Sequence, residues 1–220
     1  MGRHFDIGYF KKTVKARSGL SKKRTIKNKI NAWKLDRGYY DGERLNGYGG
    51  FKYDGRWLNL LPKLIKKYNL TKDSKFLDLG CKKGFILKDL NILLPGIQSY
   101  GIENHEYPIK NSVKTKSKII NSEYYNIPYK DNFFDFVIAF NSVYMYNLGD
   151  VIKTLTEIER VSKQSYVVLA SGDNDEEINK FNNWTLIGTT ILLKKEWKSI
   201  FKEINFRGDY YFSTIKSLGL

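Results

Sequence analysis

From residue 74 to residue 171 the chain alternates short apolar runs with segments of helical period, and this constrains its fold more than any other feature. SKFLDLG (74–80) reads as a buried strand, and GFILKDLNILL (84–94) as a short helix ended by Pro95-Gly96. QSYGIEN (98–104) is a second strand, 105–116 a segment with a short helix restricted by Pro108, and SKIINSE (117–123) a third strand. FFDFVIAF (133–140) is a fourth strand, apolar enough to be covered on both faces. DVIKTLTEIERVSK (150–163) is an amphipathic helix and SYVVLAS (165–171) a fifth strand. Beyond them, KKEWKSIFKEI (194–204) predicts a helix and DYYFSTI (209–215) a late strand. Such alternation implies an α/β fold, a mostly parallel sheet with helices on both faces.

Ligands of these sheets sit beyond the carboxyl ends of the strands, near the topological switch point. The first strand runs into Asp78, Gly80, Cys81, Lys82, Lys83 and Gly84. The second ends at Glu103-Asn104, about twenty residues after that turn, the spacing expected of an acid gripping a ribose. The third ends at Glu123-Tyr124, an acid and an aromatic suited to the edge and face of an adenine. The fourth ends in Phe140-Asn141, followed by Tyr144. No phosphate-binding G-x-x-x-x-G-K-[ST] is present, and Lys82 breaks a G-x-G-x-x-G pattern.

The chain of 220 residues suits one core. Cys81 is the sole cysteine, so no internal disulfide is possible. His4 and His105 are the only histidines, so no Cys/His zinc cluster is expected and no metal site is assigned. A lone histidine in a core is more often structural than catalytic, and His105, directly after Glu103, is expected on the adenine side and not at an acceptor. The N-terminus has no apolar signal core and no long uncharged run follows, so the expected compartment is the cytoplasm, with no membrane span. Net charge is +15, and residues 1–38 carry twelve Lys/Arg against two Asp. That arm is either solvated or a binder of phosphate, nucleic acid or an anionic membrane surface. Residues 39–57, YYDGERLNGYGGFKYDGRW, interleave five glycines with aromatics and read as a structured loop. LNLLPKLIKKYNL after it shows a helical face.

FLDLGCKKG, YGIEN and SEYYNIPYKDNFFDFVIAFNSVYMY together resemble class I S-adenosylmethionine-dependent methyltransferases, over about residues 58–171. The resemblance implies a Rossmann-like methyltransferase fold in 58–220, preceded in 1–57 by the basic arm and a Gly/aromatic lid. It implies S-adenosylmethionine as cofactor and S-adenosylhomocysteine as product. Asp78, Gly80, Cys81, Gly84, Glu103, Asn104, Glu123, Tyr124 and Phe140 would line the cofactor, with Tyr53 and Arg56 reaching it from the lid. Tyr144 and Asn141 would stand at the methyl acceptor. A phenol titrating near a pKa of about 10 is a poor base, so Tyr144 is expected to position the acceptor. Trp184, Trp197 and the last strand are expected in the core before the acceptor wall. The family usually has glycine where Lys82 stands, and lysine costs roughly 1 kcal/mol there if φ must be positive.

The 39–57 segment and the tail NNWTLIGTTILLKKEWKSIFKEINFRGDYYF resemble a small-methyltransferase subgroup often encoded with surface-polysaccharide or nucleotide-sugar genes. That implies O-methylation of a sugar or nucleotide sugar. One alternative is methylation of RNA, DNA or protein through the basic arm; FNSVY after the fourth strand lacks the Asn/Asp-Pro-Pro-Tyr/Phe stretch of DNA amino-methylation. A second is a non-catalytic cofactor-binding module.

Overall fold

A computed structural model describes residues 2–9 and 23–220. Residues 10–22, with five of the basic arm's twelve Lys/Arg, lie outside the described residues. The sheet has seven strands: β1 (Lys75–Leu79), β2 (Gln98–Glu103), β3 (Lys118–Asn121), β4 (Phe136–Phe140), β5 (Ser165–Gly172), β6 (Leu192–Leu193) and β7 (Asp209–Ser213). The order is β3-β2-β1-β4-β5, with β7 beside β5 and β6 paired to Ser171 and Gly172 at its end. All these pairings are parallel. The order reverses between β1 and β4, which places the switch-point crevice between the loops that follow them.

Helices α1 (Ile26–Trp33) and α2 (Arg37–Tyr40) precede the sheet, and α3 (Leu61–Tyr68) leads into β1. Then come α4 (Phe85–Leu93), α5 (Glu106–Lys110), α6 (Leu148–Val161), α7 (Asp175–Trp184), α8 (Lys194–Glu203) and α9 (Ile215–Leu218). The two-residue period of the strands divides the core. Phe76, Phe136, Ile138, Tyr166 and Val168 face one layer with Leu61, Leu64, Leu87 and Phe181. Leu77, Val137, Ala139, Val167 and Leu169 face the other, with Val151, Leu155 and Ile158 of α6 and Trp197 and Phe201 of α8. Every residue of β4 and β5 is buried, which explains the apolar runs Phe136–Phe140 and 166–170.

The expected strands and helices are present with trimmed ends. The helix expected in 105–116 is only α5, and the last strand stops at Ser213, where Thr214 caps α9. The sequence reading passed over α7. Only Glu177 and Phe181 of this helix are buried, too few for an apolar stripe. Residues 3–5 run beside β7: Phe5 N–H donates to Tyr210 O at 2.8 Å, and Tyr210 N–H to Arg3 O at 3.1 Å. Leu35, after α1, is buried, whereas Trp33 is 59% exposed with its indole N–H on Leu186 O. No helix among the described residues is long and apolar enough to cross a membrane.

Candidate active site

The turn after β1 is drawn tightly against its neighbours. Gly80 and Cys81 donate their N–H groups to Ile102 O at 2.8 and 3.1 Å. Ser142, just after β4, donates its hydroxyl to Leu79 O at 2.7 Å. Gly80 has φ +83°, Lys82 φ +52° and Gly84 φ +75°, the last opening α4. Lys82 therefore carries the left-handed backbone that a glycine would adopt freely.

A cavity of about 340 Å³ opens over this turn. Asp78 lines it, is 1% exposed, and leaves Oδ2 without a donor. Burial pushes its carboxyl up to about 7, Lys82 opposes that rise, and the charge of Glu103 adds to it. Asn141 also lines the cavity, with φ +52° and a buried Oδ1 that has no donor. Two buried acceptors in want of donors fit a ligand ammonium. The half-buried Lys82 shares the cavity; burial lowers its ammonium pKa, but the Tyr48, Tyr144 and Glu103 side chains outweigh this and raise it. Burial pushes the Cys81 thiol up, which keeps it protonated.

Of the residues expected at the site, Asp78, Gly80, Cys81, Phe140, Asn141, Tyr144 and Arg56 line the cavity. Glu103 lies outside this set. It is 1% exposed, and its carboxylate accepts N–H bonds from Lys82 at 2.9 Å, Asn104 at 3.0 Å and His105 at 3.2 Å. It thus ties the β1 turn to the end of β2. Exposed Glu123 accepts from Asn104 Nδ2 at 3.0 Å and the Tyr146 hydroxyl at 3.1 Å. Tyr124 is buried edge-on to Tyr146, behind the Gly80 turn. His105 turns Nδ1 to Glu103. Tyr53 is not among the lining residues; its hydroxyl donates to Asp89, a buried α4 carboxylate that also takes Trp57 N–H. Arg56 pairs with Asp54 at 2.7 Å. Trp197 is core, its indole on Ala170 O, whereas Trp184 and Ser213 reach the cavity.

Several residues here gave no signal in the sequence. Lys83, the second lysine of the turn, is a latch: its ammonium meets Asp41 at 2.6 Å and Phe51 O at 3.2 Å. Tyr107 donates to the same Asp41 at 2.7 Å. Burial acts to raise the Asp41 carboxyl, but the bonds from Lys83 and Tyr107 outweigh it and hold the pKa below its usual range. The latch therefore persists from neutral pH down through the usual carboxylate range and is lost only as pH falls through the lowered value. Lys83→Met is expected to speed amide exchange at Tyr48 and Phe51 by roughly tenfold or more while β4 amides keep their protection. Unchanged exchange in the segment would show that the aromatic packing of Tyr40, Tyr48 and Phe51 holds it alone.

Residues 77–169 match the family described as "Methyltransferase domain". The uncharacterised protein MJ0638 of Methanocaldococcus jannaschii is 27% identical over 158 residues, 69% of this chain. The match spans 65% of that relative, so the chain accounts for less than two thirds of its length. In shape the chain is similar to a structure of the Haloferax volcanii Trm112 methyltransferase activator in complex with a candidate methyltransferase, with a TM-score of 0.57 and 19% identity over 80% of this chain and 75% of that one. It is also similar to YcgJ of Bacillus subtilis, with a TM-score of 0.55 and 19% identity over 66% of each chain. At these identities the structures speak for the fold. With the family match, residues 77–169 form a class I S-adenosylmethionine-dependent methyltransferase domain, whose cofactor is S-adenosylmethionine.

Proposed function

We propose that the whole chain transfers the methyl group of S-adenosylmethionine to an oxygen or nitrogen of a small acceptor, with a sugar or nucleotide sugar as the acceptor class. The observation that carries this reading is the pair of orphaned acceptors, Asp78 Oδ2 and Asn141 Oδ1, in one cavity at the switch point. They would take the ammonium of the cofactor's methionine part. Glu103 would serve the ribose by turning its carboxylate partly away from the turn amides. The bound cofactor supplies an already activated methyl group, so the chain's own task is alignment and exclusion of water. Trp57, Phe140 and Phe51 make apolar walls for that purpose, and Tyr144, which shares the lining, would orient an acceptor hydroxyl. The cavity volume lies at the lower end of small-molecule sites, which favours a small acceptor over a polymer.

Calorimetric titration of the purified chain with S-adenosylmethionine and S-adenosylhomocysteine tests the reading. Binding at roughly micromolar Kd is expected, with Glu103→Ala weakening it by about tenfold or more. Lys82→Gly is expected to bind at least as tightly, because it removes a cation from the cleft that takes the cofactor's ammonium. If neither the wild type nor Lys82→Gly binds either compound, the reading fails. Binding opens a methyl-transfer screen with nucleotide sugars, and RNA is the competing acceptor in that screen.

A further inference from the structure

The cavity lining holds charge that the cofactor reading does not use. Arg24 is half-buried and donates Nε to Leu45 O at 3.2 Å, Nη1 to Trp184 O at 2.8 Å and Nη2 to Arg44 O at 3.4 Å. Arg44 lies beside it and donates to Gly47 O. Among the described residues neither guanidinium has a carboxylate within ion-pair distance, although thirteen other pairs form. Burial first, and then the charge of Arg44, push Arg24 down to about 10. Trp184, which ends α7, lies under Arg24 with the guanidinium carbon 6.0 Å from its ring centroid. Its indole Nε1 is buried and has no acceptor, although an indole can only donate. All three side chains line the cavity. Asp78 is the only acid in that lining, against the cations Arg24, Arg44, Lys52, Arg56 and Lys82.

We propose that Arg24, Arg44 and the Trp184 indole N–H form an anion subsite, and that the methyl acceptor carries a phosphate or carboxylate group that they hold. The word "acceptor" rests on the methyl-transfer reading; the subsite does not. A structural role for Arg24 accounts for its three carbonyl bonds, which tie the segment before α1 to the lid and to the end of α7. It does not account for a second guanidinium, that of the solvent-exposed Arg44, held beside the first where the like charges repel, nor for a buried indole N–H with nothing to donate to. An oxyanion supplies both: it neutralises adjacent guanidinium groups through forked hydrogen bonds and has lone pairs left for the indole. Asp78 belongs to β1 and Trp184 to the end of α7, so the cofactor's ammonium and an acceptor's anion would be held by different elements of one cleft.

The test follows the indole N–H resonances of the intact protein by proton–nitrogen NMR. Trp33, Trp57, Trp184 and Trp197 give four such signals, and Trp184→Phe assigns the one that matters. Inorganic phosphate and acetate are titrated separately against chloride at constant ionic strength, with and without saturating S-adenosylhomocysteine. A saturable shift of the Trp184 signal is expected, weakened about tenfold or more by Arg44→Met and partly restored by Arg44→Lys. Saturation by phosphate assigns a phosphate-bearing acceptor, and saturation by acetate alone assigns a carboxylate. Three results would overturn the proposal: no saturation beyond the chloride control, an Arg44→Met titration like the wild type's, or loss of the response once S-adenosylhomocysteine is bound. The last would give the subsite to the cofactor's own carboxylate. If the anion response stands while calorimetry finds no cofactor binding, the methyl-transfer reading fails and the subsite survives.

Discussion

Replacing Asp78 with Asn is expected to weaken S-adenosylhomocysteine binding at about pH 8 by roughly a hundredfold. A hydrogen bond between charged partners contributes about 1.5–3 kcal/mol, and Asn keeps the shape while losing the charge. The same variant should erase a pH dependence. Burial lifts the Asp78 carboxyl from its ordinary 3.8 to about 7, with Lys82 opposing and Glu103 assisting. The folded protein therefore holds this proton more tightly than the unfolded chain does. By linkage, stability falls as pH rises between those two values, and at neutral pH and above the ionised carboxylate is a net cost to the unliganded fold. A bound ammonium offsets that cost. Wild-type affinity should thus be flat above about pH 7 and fall by up to tenfold per unit below it, because the proton must leave before the cation is attracted. Calorimetry in buffers of different ionisation enthalpy would show proton release in wild type and none in Asp78→Asn. A variant with the wild-type slope would move the titration to another group and remove Asp78 from the ammonium site.

The parts of the molecule written in local pattern were legible in the sequence. β4 is apolar throughout and β5 is apolar from Tyr166 to Ala170 because both faces are covered, and α6 shows Val151, Leu155 and Ile158 on one side. The acids at the ends of β1 and β2 stand at their expected strand ends for the same reason. What was not legible depends on residues distant in the chain. Arg24 meets Trp184 O across 160 positions, Lys83 meets Asp41 across 42, and Tyr53 meets Asp89 across 36. A lysine in a turn looks the same whether it latches a distant loop or faces water, and no spacing rule separates the two. Tyr53 and Arg56 show the limit from the other side. Both were assigned to the cofactor from one loop, but a hydroxyl on Asp89 turns Tyr53 to α4 while Arg56 stays at the cavity. Glu103 holds the expected strand end, yet its lone pairs already serve three backbone N–H groups, a competition visible only once the turn is folded against it.

The second large effect is expected at Gly80. Gly80→Ala should destabilise the fold by about 2–5 kcal/mol, the sum of a left-handed backbone on a non-glycine residue and an overpacked contact. It should also abolish cofactor binding. A Cβ at position 80 would stand 2.3 Å from Ser142 Cβ and 2.9 Å from its hydroxyl oxygen. Ser142 cannot simply withdraw: it is 1% exposed, and its hydroxyl bridges to Leu79 O. Relief has to come from parting the β1 and β4 loops, which carry Asp78 and Asn141 and thus both orphaned acceptors. Adding Ser142→Gly to Gly80→Ala removes the colliding atoms but leaves φ at +83°, so urea unfolding should recover about half of the loss, the overpacking share. A Gly80→Ala protein with the wild-type midpoint and affinity would show that the two loops part freely, and the crevice would then not be preorganised. Lys82 supplies the contrast within the same turn. It too has a positive φ, but it borders the cavity instead of another loop. The backbone penalty alone is small enough for a folded protein to absorb, whereas the collision at position 80 is not. The turn therefore tolerates lysine where the family usually has its middle glycine, and cannot tolerate any side chain at the first.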